Sequence, residues 1–296
     1  MSKIRRILMF IPGNSPAMIN NASIIDADTI VFDLEDSVAL EDKADARFLV
    51  KETLLHFEVP GKDIAVRING ISTDFWMEDL RAIVPCRPAF IQLPKTERGE
   101  DLLKVIDLIE KIEKKEGIPV GTVQVCPIIE TALGIENAFQ IAMTKTERLA
   151  ALALGAEDLI SDISGIRSNE SLEIMYARQR LVNAARAAGI SPSDTAFINV
   201  DDDEWLVKDC KLSRSLGFDG RAIISPRQVK LARSMYLPSK KEIDYAKAVI
   251  DAIHDAKRRG RGAITLNGKM VDEPIVKRAR AVLQSIEESE RMVQDE

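Results

Sequence analysis

Short apolar segments alternate with longer amphipathic segments along most of the chain. The apolar segments are rich in β-branched residues and are followed by turn-forming or charged residues, a pattern typical of buried strands. Amphipathic helices are predicted between them, most clearly at Glu100–Glu116, where apolar residues recur at helical spacing. The predicted strands are Arg6–Ile11, Thr29–Phe32, Asp63–Ile68, Ala89–Leu93, Val123–Ile129, Leu149–Leu154, Thr195–Val200 and Gly220–Ile224.

The alternation of strands and helices indicates how the strands are arranged. Strict β-then-α order favours a parallel sheet with right-handed crossovers. Eight such units within residues 1–229 predict an α/β fold of the closed (β/α)8 TIM barrel type. An open doubly wound sheet is the alternative, but the sequence contains neither GxGxxG nor GxxxxGK[ST] to support it.

Residues 230–296 predict a C-terminal helical extension, which would form a second domain. A charged amphipathic helix is predicted at Pro238–Arg259, and an irregular segment or short hairpin at Gly260–Asp272. A last helix begins at Pro274, with Asp272 or Glu273 as its cap. Its apolar stripe needs a partner surface, either on the barrel or on another subunit, so the extension could be swapped onto a neighbour.

The composition narrows the class of protein. The chain has 296 residues, 46% of them hydrophobic and 30% charged, which is typical of a globular protein. Its net charge of −6 gives no sign of nucleic-acid binding, and no apolar stretch approaches the roughly 20 residues of a membrane span. Three cysteines without a CxxC pair favour reduced thiols in the cytoplasm. With only two histidines, a His-based triad is not expected.

Two carboxylates follow neighbouring predicted strands. Glu130 comes directly after the fifth strand, and Asp158 comes shortly after the sixth. Because the carboxyl ends of parallel strands meet at one face of a barrel, we expect these side chains to converge. Two carboxylates suit a hard divalent ion that keeps its waters, most simply Mg²⁺. An equally supported alternative is that Asp158 caps the next helix while Glu130 lies on a surface loop.

Arg67 is the most informative charged residue, because it falls inside an apolar strand where an unpaired arginine is costly to bury. It could form a buried salt bridge, or it could bind a substrate carboxylate or a developing oxyanion. Glu35, Asp36 and Lys95 lie at the ends of nearby strands, which favours the functional interpretation. Glu35 or Asp36 could hold waters on the metal or cap a helix. A metal and an arginine without histidine suggest enolate chemistry.

Several motifs resemble the HpcH/HpaI aldolase and citrate lyase family. They occur in family order from about residue 3 to about residue 290. Val31–Leu40 and Tyr176–Ile190 resemble the branch of the family that cleaves citryl thioesters. The resembling motifs are Arg6 with MFIPGN, FDLEDSV with Lys43 and AR at 46–47, VRIN at 66–69, PIIETALGI at 127–135, LGAEDL at 154–159, ISPRQ at 224–228 and NGKMVDEP at 267–274.

The resemblance implies a TIM barrel that uses Mg²⁺ and assembles as a trimer or hexamer. It implies a carbon–carbon lyase that cleaves citryl-ACP or citryl-CoA to oxaloacetate and an acetyl thioester by retro-Claisen chemistry. An acyl carrier protein and transferase subunits of a citrate lyase complex are the implied partners. A malyl-CoA or citramalyl-CoA lyase, or a non-catalytic scaffold subunit of such a complex, remains an alternative.

The resemblance also assigns roles to individual residues. It makes Glu130 and Asp158 the metal ligands, with Glu130 and Asp36 also beside the substrate. It makes Arg67 a catalytic residue that binds substrate and stabilises the enolate.

Two further residues complete the implied site. The resemblance places Lys43 near the phosphates of the thioester carrier, although its sequence context alone favours a solvated helix face. It makes Asp272 the acid that a neighbouring subunit supplies, whereas the sequence alone supports a helix cap at least as well. The group that removes the substrate hydroxyl proton is not identified.

Overall fold

Eight parallel strands close into a barrel in the order of the sequence, β1 to β8, which confirms the predicted (β/α)8 fold. The computed structural model describes residues 5–57, 59–258, 264–266 and 269–294. The strands are β1 Ile7–Pro12, β2 Thr29–Asp33, β3 Asp63–Arg67, β4 Phe90–Leu93, β5 Gln124–Ile129, β6 Ala151–Leu154, β7 Ser191–Asp194 and β8 Gly220–Ile223.

Helices connect the strands and cover the outside of the barrel. Their apolar faces and the outward faces of the strands form one large core. No helix among the described residues is long and apolar enough to cross a membrane. The helices are α1 Pro16–Asn20, α2 Lys43–His56, α3 Trp76–Ile83, α4 Gly99–Lys115, α5 Ala132–Ala142, α6 Ala156–Asp162, α7 Met175–Ala188, α8 Asp203–Leu216 and α9 Pro226–Tyr236.

The inside of the barrel is filled mainly by small side chains. Ala65, Cys126, Ala151 and Ala153 lie in this inner cluster, together with a few large residues such as Phe90. Small residues leave space toward the carboxyl ends of the strands. The barrel therefore has room for a cavity at the end where TIM barrels place their sites.

The prediction of the seventh strand at Thr195–Val200 is wrong. The strand is β7, four residues earlier, and all its residues are buried although their sequence, SPSD, is polar. An apolar pattern cannot reveal this strand, because small serines occupy it and Asp194 is neutralised by a buried arginine, Arg178 of α7. The apolar segment that follows β7 is irregular and contributes Ala196 and Ile198 to the cavity wall.

Residues from Leu237 onward form a second compact unit. It contains α10 Lys240–Arg258, an antiparallel hairpin of β9 Ile264–Leu266 and β10 Lys269–Val271, and α11 Glu273–Gln294. The predicted turn residues of this segment, Gly260, Gly262, Asn267 and Gly268, lie outside the described residues.

The apolar stripe of α11 finds its partner within the second unit. Val276 and Ala279 are buried in a cluster with Val249 and Ile253 of α10. The expectation that this stripe needs the barrel or another subunit is therefore wrong, because α10 already covers it.

Candidate active site

A cavity of about 310 Å³ opens at the carboxyl ends of the barrel strands. Its wall combines charged and apolar residues. The charged residues are Asp36, Arg67, Glu130, Glu157, Asp158 and Asp194, and the apolar residues include Leu8, Phe10, Ile128, Ala153, Ile198, Ala222 and Ile224. The structure thus brings four of the predicted site residues, from four different βα connections or strand ends, to one cavity.

Glu130 and Asp158 are placed by the ends of β5 and β6. Glu130 directly follows β5 and is only 3% exposed, so its interpretation as a surface-loop residue is wrong. Thr131 then begins α5 as its N-cap, with its hydroxyl accepting from the Gly134 N–H at 3.0 Å. Asp158 lies inside the first turn of α6, and the cap of that helix is Gly155, so the helix-cap interpretation of Asp158 is wrong as well.

Burial dominates the electrostatics of Glu130. Its pKa is raised to about 8, chiefly by burial and then by the nearby carboxylate of Glu35. The backbone N–H of Lys95 donates to Glu130 Oε1 at 2.7 Å, and this hydrogen bond lowers the pKa of Glu130. A Cβ at Gly155 would collide with the Glu130 carboxylate, so this close approach of β5 and β6 requires glycine.

The Lys95 ammonium lies among three carboxylates. Its Nζ is 2.6 Å from Glu35 Oε1, 3.4 Å from Asp158 Oδ2 and 3.6 Å from Asp36 Oδ1. The backbone of Lys95 has φ of 49°, a left-handed conformation that is uncommon for lysine. Burial raises the pKa of Glu35 to about 7, even with the Arg67 guanidinium beside it. Negative charge is therefore in excess at this rim.

Arg67 is held by a partner that the sequence analysis missed. Asp33 is the last residue of β2 and lies opposite Arg67 of β3 in the strand register. Its carboxylate accepts from Nε at 2.6 Å and from Nη2 at 2.7 Å, a bidentate pair, while Nη1 is 2.9 Å from Glu35. Burial disfavours the charged form of Arg67, but the Asp33 carboxylate outweighs the effect of burial and raises the pKa of Arg67. Arg67 is thus both a buried salt-bridge partner and a fixed cation in the cavity wall.

The charged rim suits a divalent cation. Glu130 and Asp158 are oxygen donors of the kind Mg²⁺ prefers, and the excess carboxylates would be relieved by a cation. Within the part of the chain that the structure describes, no three acidic, cysteine or histidine side chains form a ready cage for a metal. Water or substrate oxygens would have to complete the coordination, as they commonly do for Mg²⁺.

Lys43 is not one of the residues that form the cavity wall. Its side chain is 8% exposed, and its ammonium donates to the backbone oxygens of Leu34 at 2.8 Å and Glu35 at 2.6 Å. The interpretation as a solvated helix lysine is therefore wrong, because Lys43 holds the loop that carries Glu35 and Asp36. Its place near carrier phosphates stays a prediction.

Asp272 belongs to the second unit. Its Oδ1 accepts from the Ile275 N–H at 3.3 Å at the start of α11, so the interpretation as a helix cap is confirmed. Its role as an acid stays a prediction.

Thr195 is another residue that the sequence analysis missed. It is buried just after β7, and its hydroxyl accepts from the Ala156 N–H at 3.1 Å, at the start of the helix that carries Asp158. Arg221 of β8 donates to the Thr195 carbonyl at 2.9 Å and is itself paired with Asp209 at 2.8 Å. A buried ion network therefore fixes the position of α6.

The chain belongs to the HpcH/HpaI aldolase/citrate lyase family, whose sequence model matches residues 6–226. It is 43% identical to the citrate lyase subunit beta of Leuconostoc mesenteroides subsp. cremoris over 95% of this chain and 93% of that protein. It is 30% identical to the mitochondrial citramalyl-CoA lyase of Homo sapiens over 93% of this chain and 84% of that protein.

The structure is also similar to that of protein CitE from Mycobacterium tuberculosis. That crystal structure is a complex with magnesium, acetoacetate and coenzyme A. The two share 28% sequence identity with a TM-score of 0.79, over 95% of this chain and 97% of that chain. The similarity includes the barrel and much of the sequence that follows it.

Proposed function

We propose that the protein is an Mg²⁺-dependent lyase that cleaves a citryl thioester to oxaloacetate and an acetyl thioester. The observation that carries this proposal is the single cavity in which Glu130, Asp158 and Arg67 face one another from different strand ends. The 43% identity to a citrate lyase subunit beta supports the citryl thioester as substrate. The magnesium in the complex of the Mycobacterium tuberculosis protein supports the choice of metal.

Glu130 and Asp158 would hold the metal on one side of the substrate. When bound, Mg²⁺ supplies a Lewis acid that lowers the pKa of the substrate hydroxyl and fixes the adjacent carboxylate. Cleavage then breaks the bond between the carbinol carbon and the methylene carbon of the thioester arm. The substrate hydroxyl gives up its proton to solvent in the cavity, and the electrons of its O–H bond form the keto C=O bond of oxaloacetate. The electron pair of the broken C–C bond passes to the thioester, which becomes an enolate.

Arg67 would stabilise the enolate. Its guanidinium stays charged, and its bidentate pair with Asp33 fixes the direction of its remaining N–H groups before the reaction begins. A preorganised cation is most effective where charge develops, which is the thioester oxygen in this reaction. Asp36, whose carboxylate is 3.2 Å from Arg67 Nη1, would help to position the substrate.

The enolate must gain a proton on its methylene carbon to leave as the acetyl thioester. We assign this proton to Asp272 of a neighbouring subunit, as the family resemblance implies. An aspartic acid has an unperturbed pKa near ~3.9, so this role requires burial or a like charge on binding.

The alternatives are less well supported. Citramalyl-CoA lyase activity rests on a relative at 30% identity, against 43% for the citrate lyase subunit beta. A scaffold subunit would not require a cluster of buried carboxylates around a fixed arginine. Malyl-CoA cleavage would use the same metal and arginine, so only the substrate substituent separates it from the proposed reaction.

The proposed partners follow from the citrate lyase assignment. They are an acyl carrier protein that presents the citryl group, the transferase subunit of a citrate lyase complex, and further copies of this chain in a trimer or hexamer. A cytoplasmic location is proposed because Cys86, Cys126 and Cys210 are all free thiols.

The test is an assay of the purified protein with citryl-CoA, malyl-CoA and citramalyl-CoA side by side, with oxaloacetate, glyoxylate and pyruvate measured as the keto-acid products. We expect citryl-CoA to have the highest kcat/KM and the reaction to stop when Mg²⁺ is chelated. A higher kcat/KM for citramalyl-CoA or malyl-CoA would contradict the proposed substrate, and cleavage of none of the three would contradict the lyase activity.

A further inference from the structure

Lys95 is a cation at the charged rim of the cavity that the proposed mechanism does not use. It follows β4, and it contacts both proposed metal ligands through different groups. Its backbone N–H donates to Glu130 Oε1 at 2.7 Å, and its ammonium Nζ is 3.4 Å from Asp158 Oδ2. Only the second contact depends on the side chain, so a substitution can remove the charge and keep the hydrogen bond to Glu130.

The ammonium of Lys95 is surrounded by carboxylates. Glu35 Oε1 accepts its hydrogen bond at 2.6 Å, and Asp36 Oδ1 is 3.6 Å away. Glu35 is also paired with Arg67, whose Nη1 is 2.9 Å from Glu35 Oε2. In the part of the chain that the structure describes, Asp158 has a single ion pair, and that pair is with Lys95. The positive charge that faces Asp158 therefore comes from Lys95.

This ion pair conflicts with the metal-binding role of Asp158. An ammonium and a Mg²⁺ ion are attracted to the same carboxylate oxygens, and they repel each other when both are close to one carboxylate. Solvent screens such repulsion less when the groups are partly buried, and the side chains of Lys95 and Asp158 are each 38% exposed. The lysine charge is therefore unfavourable for Mg²⁺ at Asp158, although it stabilises the cluster of carboxylates.

We infer that Lys95 sets the Mg²⁺ affinity of the site by competing with the metal for Asp158. Its ammonium neutralises part of the charge of the carboxylates, so Mg²⁺ is bound less tightly than the carboxylates alone would bind it. Glu35, at 2.6 Å, keeps the ammonium at the rim when the ammonium no longer pairs with Asp158. The inference rests on the Mg²⁺ site of the proposed function, and it concerns the strength of metal binding rather than the identity of the ligands.

A purely structural role for the ammonium predicts the opposite effect. If Lys95 only held the Asp158 carboxylate in position for the metal, removing its charge would weaken Mg²⁺ binding. If Lys95 competes with the metal, removing its charge strengthens Mg²⁺ binding. The direction of the change in the dissociation constant therefore separates the two roles.

The test compares Lys95→Met, Lys95→Arg and Lys62→Met in the full-length protein. Methionine removes the charge of Lys95 but keeps an unbranched side chain and the backbone N–H, whereas arginine keeps the charge. Lys62 is the matched control, because it is also a partly buried lysine with a bonded ammonium, which donates to the Ser23 carbonyl at 2.9 Å. It directly precedes β3 and does not belong to the cavity wall.

We expect calorimetry to show that Lys95→Met lowers the Kd for Mg²⁺ by roughly 10-fold, since a charge within about 6 Å commonly changes a charge equilibrium by that factor or more. Lys95→Arg and Lys62→Met should keep a Kd close to that of the wild type. Thermal unfolding should agree, because a tighter ligand stabilises the folded state more. At one fixed Mg²⁺ concentration, the rise in Tm should be largest for Lys95→Met.

An unchanged or weaker Mg²⁺ affinity in folded Lys95→Met would overturn the inference while leaving the metal site intact. Equal tightening in Lys62→Met would also overturn it, because the effect would then come from net charge rather than from the contact with Asp158. A wild-type protein that binds no Mg²⁺ would instead overturn the proposed metal site, and the inference with it. If Lys95→Met does not fold, as judged by thermal unfolding, Lys95→Gln provides the second test with the same expected tightening.

Discussion

At the scale of single residues, the site depends on a few charges whose geometry is fixed by neighbours. Arg67 is held by Asp33 through two N–H groups, which a lysine cannot reproduce because its ammonium is a point charge on a flexible chain. Glu130 is held by the Lys95 N–H and packed against Gly155. Such fixed groups stabilise a transition state without having to reorganise during the reaction.

We predict that Arg67→Lys lowers kcat by on the order of 100-fold, as expected when a preorganised donor to an oxyanion is lost. Steady-state assays with citryl-CoA measure this change. Arg5→Lys is the control, because Arg5 also pairs with a carboxylate, Asp63 at 2.7 Å, but does not line the cavity. Near-normal turnover of Arg67→Lys would show that its guanidinium fork is not required.

The pKa of Glu130 predicts a pH dependence. In the folded protein it is about 8, well above the ordinary value of 4.5. Between these values the folded state retains a proton that the unfolded chain releases, so the free energy of unfolding of the metal-free protein should fall as pH rises from about 4.5 to about 8. Thermal unfolding in the presence of a chelator, over this pH range, measures the effect, and Glu130→Gln should remove this contribution.

The same group predicts the opposite trend for metal binding. A metal ligand must be deprotonated, so Mg²⁺ affinity should rise with pH, and we expect it to be roughly 10-fold weaker at about pH 6.5 than at about pH 8.5. Calorimetry at the two pH values tests this. A Kd that does not vary with pH would mean that Glu130 is not a ligand or that its carboxyl is already ionised at the lower pH.

At the scale of elements, α6 is the helix whose position matters most, because it carries Asp158. Thr195 fixes its first N–H, and a second chain of contacts runs from Glu157 to Arg167 at 3.2 Å and then to Glu173 at 2.9 Å. Since α6 has only seven residues, these tertiary contacts rather than its own length must hold it in place.

We predict that Thr195→Val weakens Mg²⁺ binding roughly 5-fold, equivalent to about 1 kcal/mol for a lost neutral hydrogen bond. Thr195→Ser, which keeps the hydroxyl, should restore most of the affinity. Thr29→Val is the control, because Thr29 is also fully buried but its hydroxyl has no partner among the described residues. If Thr195→Val and Thr29→Val bind Mg²⁺ equally well, the Thr195 contact does not position Asp158.

The elements also show what a sequence can and cannot reveal. Apolar, β-branched strands such as β2 and β5 are visible because their burial is encoded in residue type. The strand β7 is not, because its burial depends on a salt bridge with α7 that forms only in the folded barrel. Glu130, Asp158 and Arg67 were found because they follow or interrupt apolar strands, whereas the pairing of Asp33 with Arg67 depends on strand register, which periodicity does not give.

At the scale of the whole molecule, the second unit raises the question of shared sites. The apolar stripe of α11 is covered by α10, so burial alone gives no reason for a domain swap. The remaining support for Asp272 as a partner residue is the family resemblance and its place at the start of a helix that follows a hairpin. An experiment on assembled subunits tests whether Asp272, which caps α11, also supplies the proton.

We predict that inactive Arg67→Ala protein and inactive Asp272→Asn protein regain part of their activity when mixed under conditions that allow subunit exchange. Mixed oligomers would contain some interfaces with an intact Arg67 from one subunit and an intact Asp272 from the other. Failure to recover activity, with exchange confirmed by mass spectrometry, would mean that each subunit contains a complete site or that Asp272 acts only as a cap.

The central claim is that Glu130 and Asp158 hold the Mg²⁺ on which cleavage depends. The most direct measurement is a Mg²⁺ titration of the wild type, Glu130→Gln and Asp158→Asn proteins. Calorimetry monitors Mg²⁺ binding, and oxaloacetate release from citryl-CoA monitors activity. Asp162→Asn is the control, since Asp162 lies on the same helix but not in the cavity wall. We predict that both site variants, still folded, shift the binding and activity curves together to higher Mg²⁺, whereas unchanged curves in both variants would contradict the account.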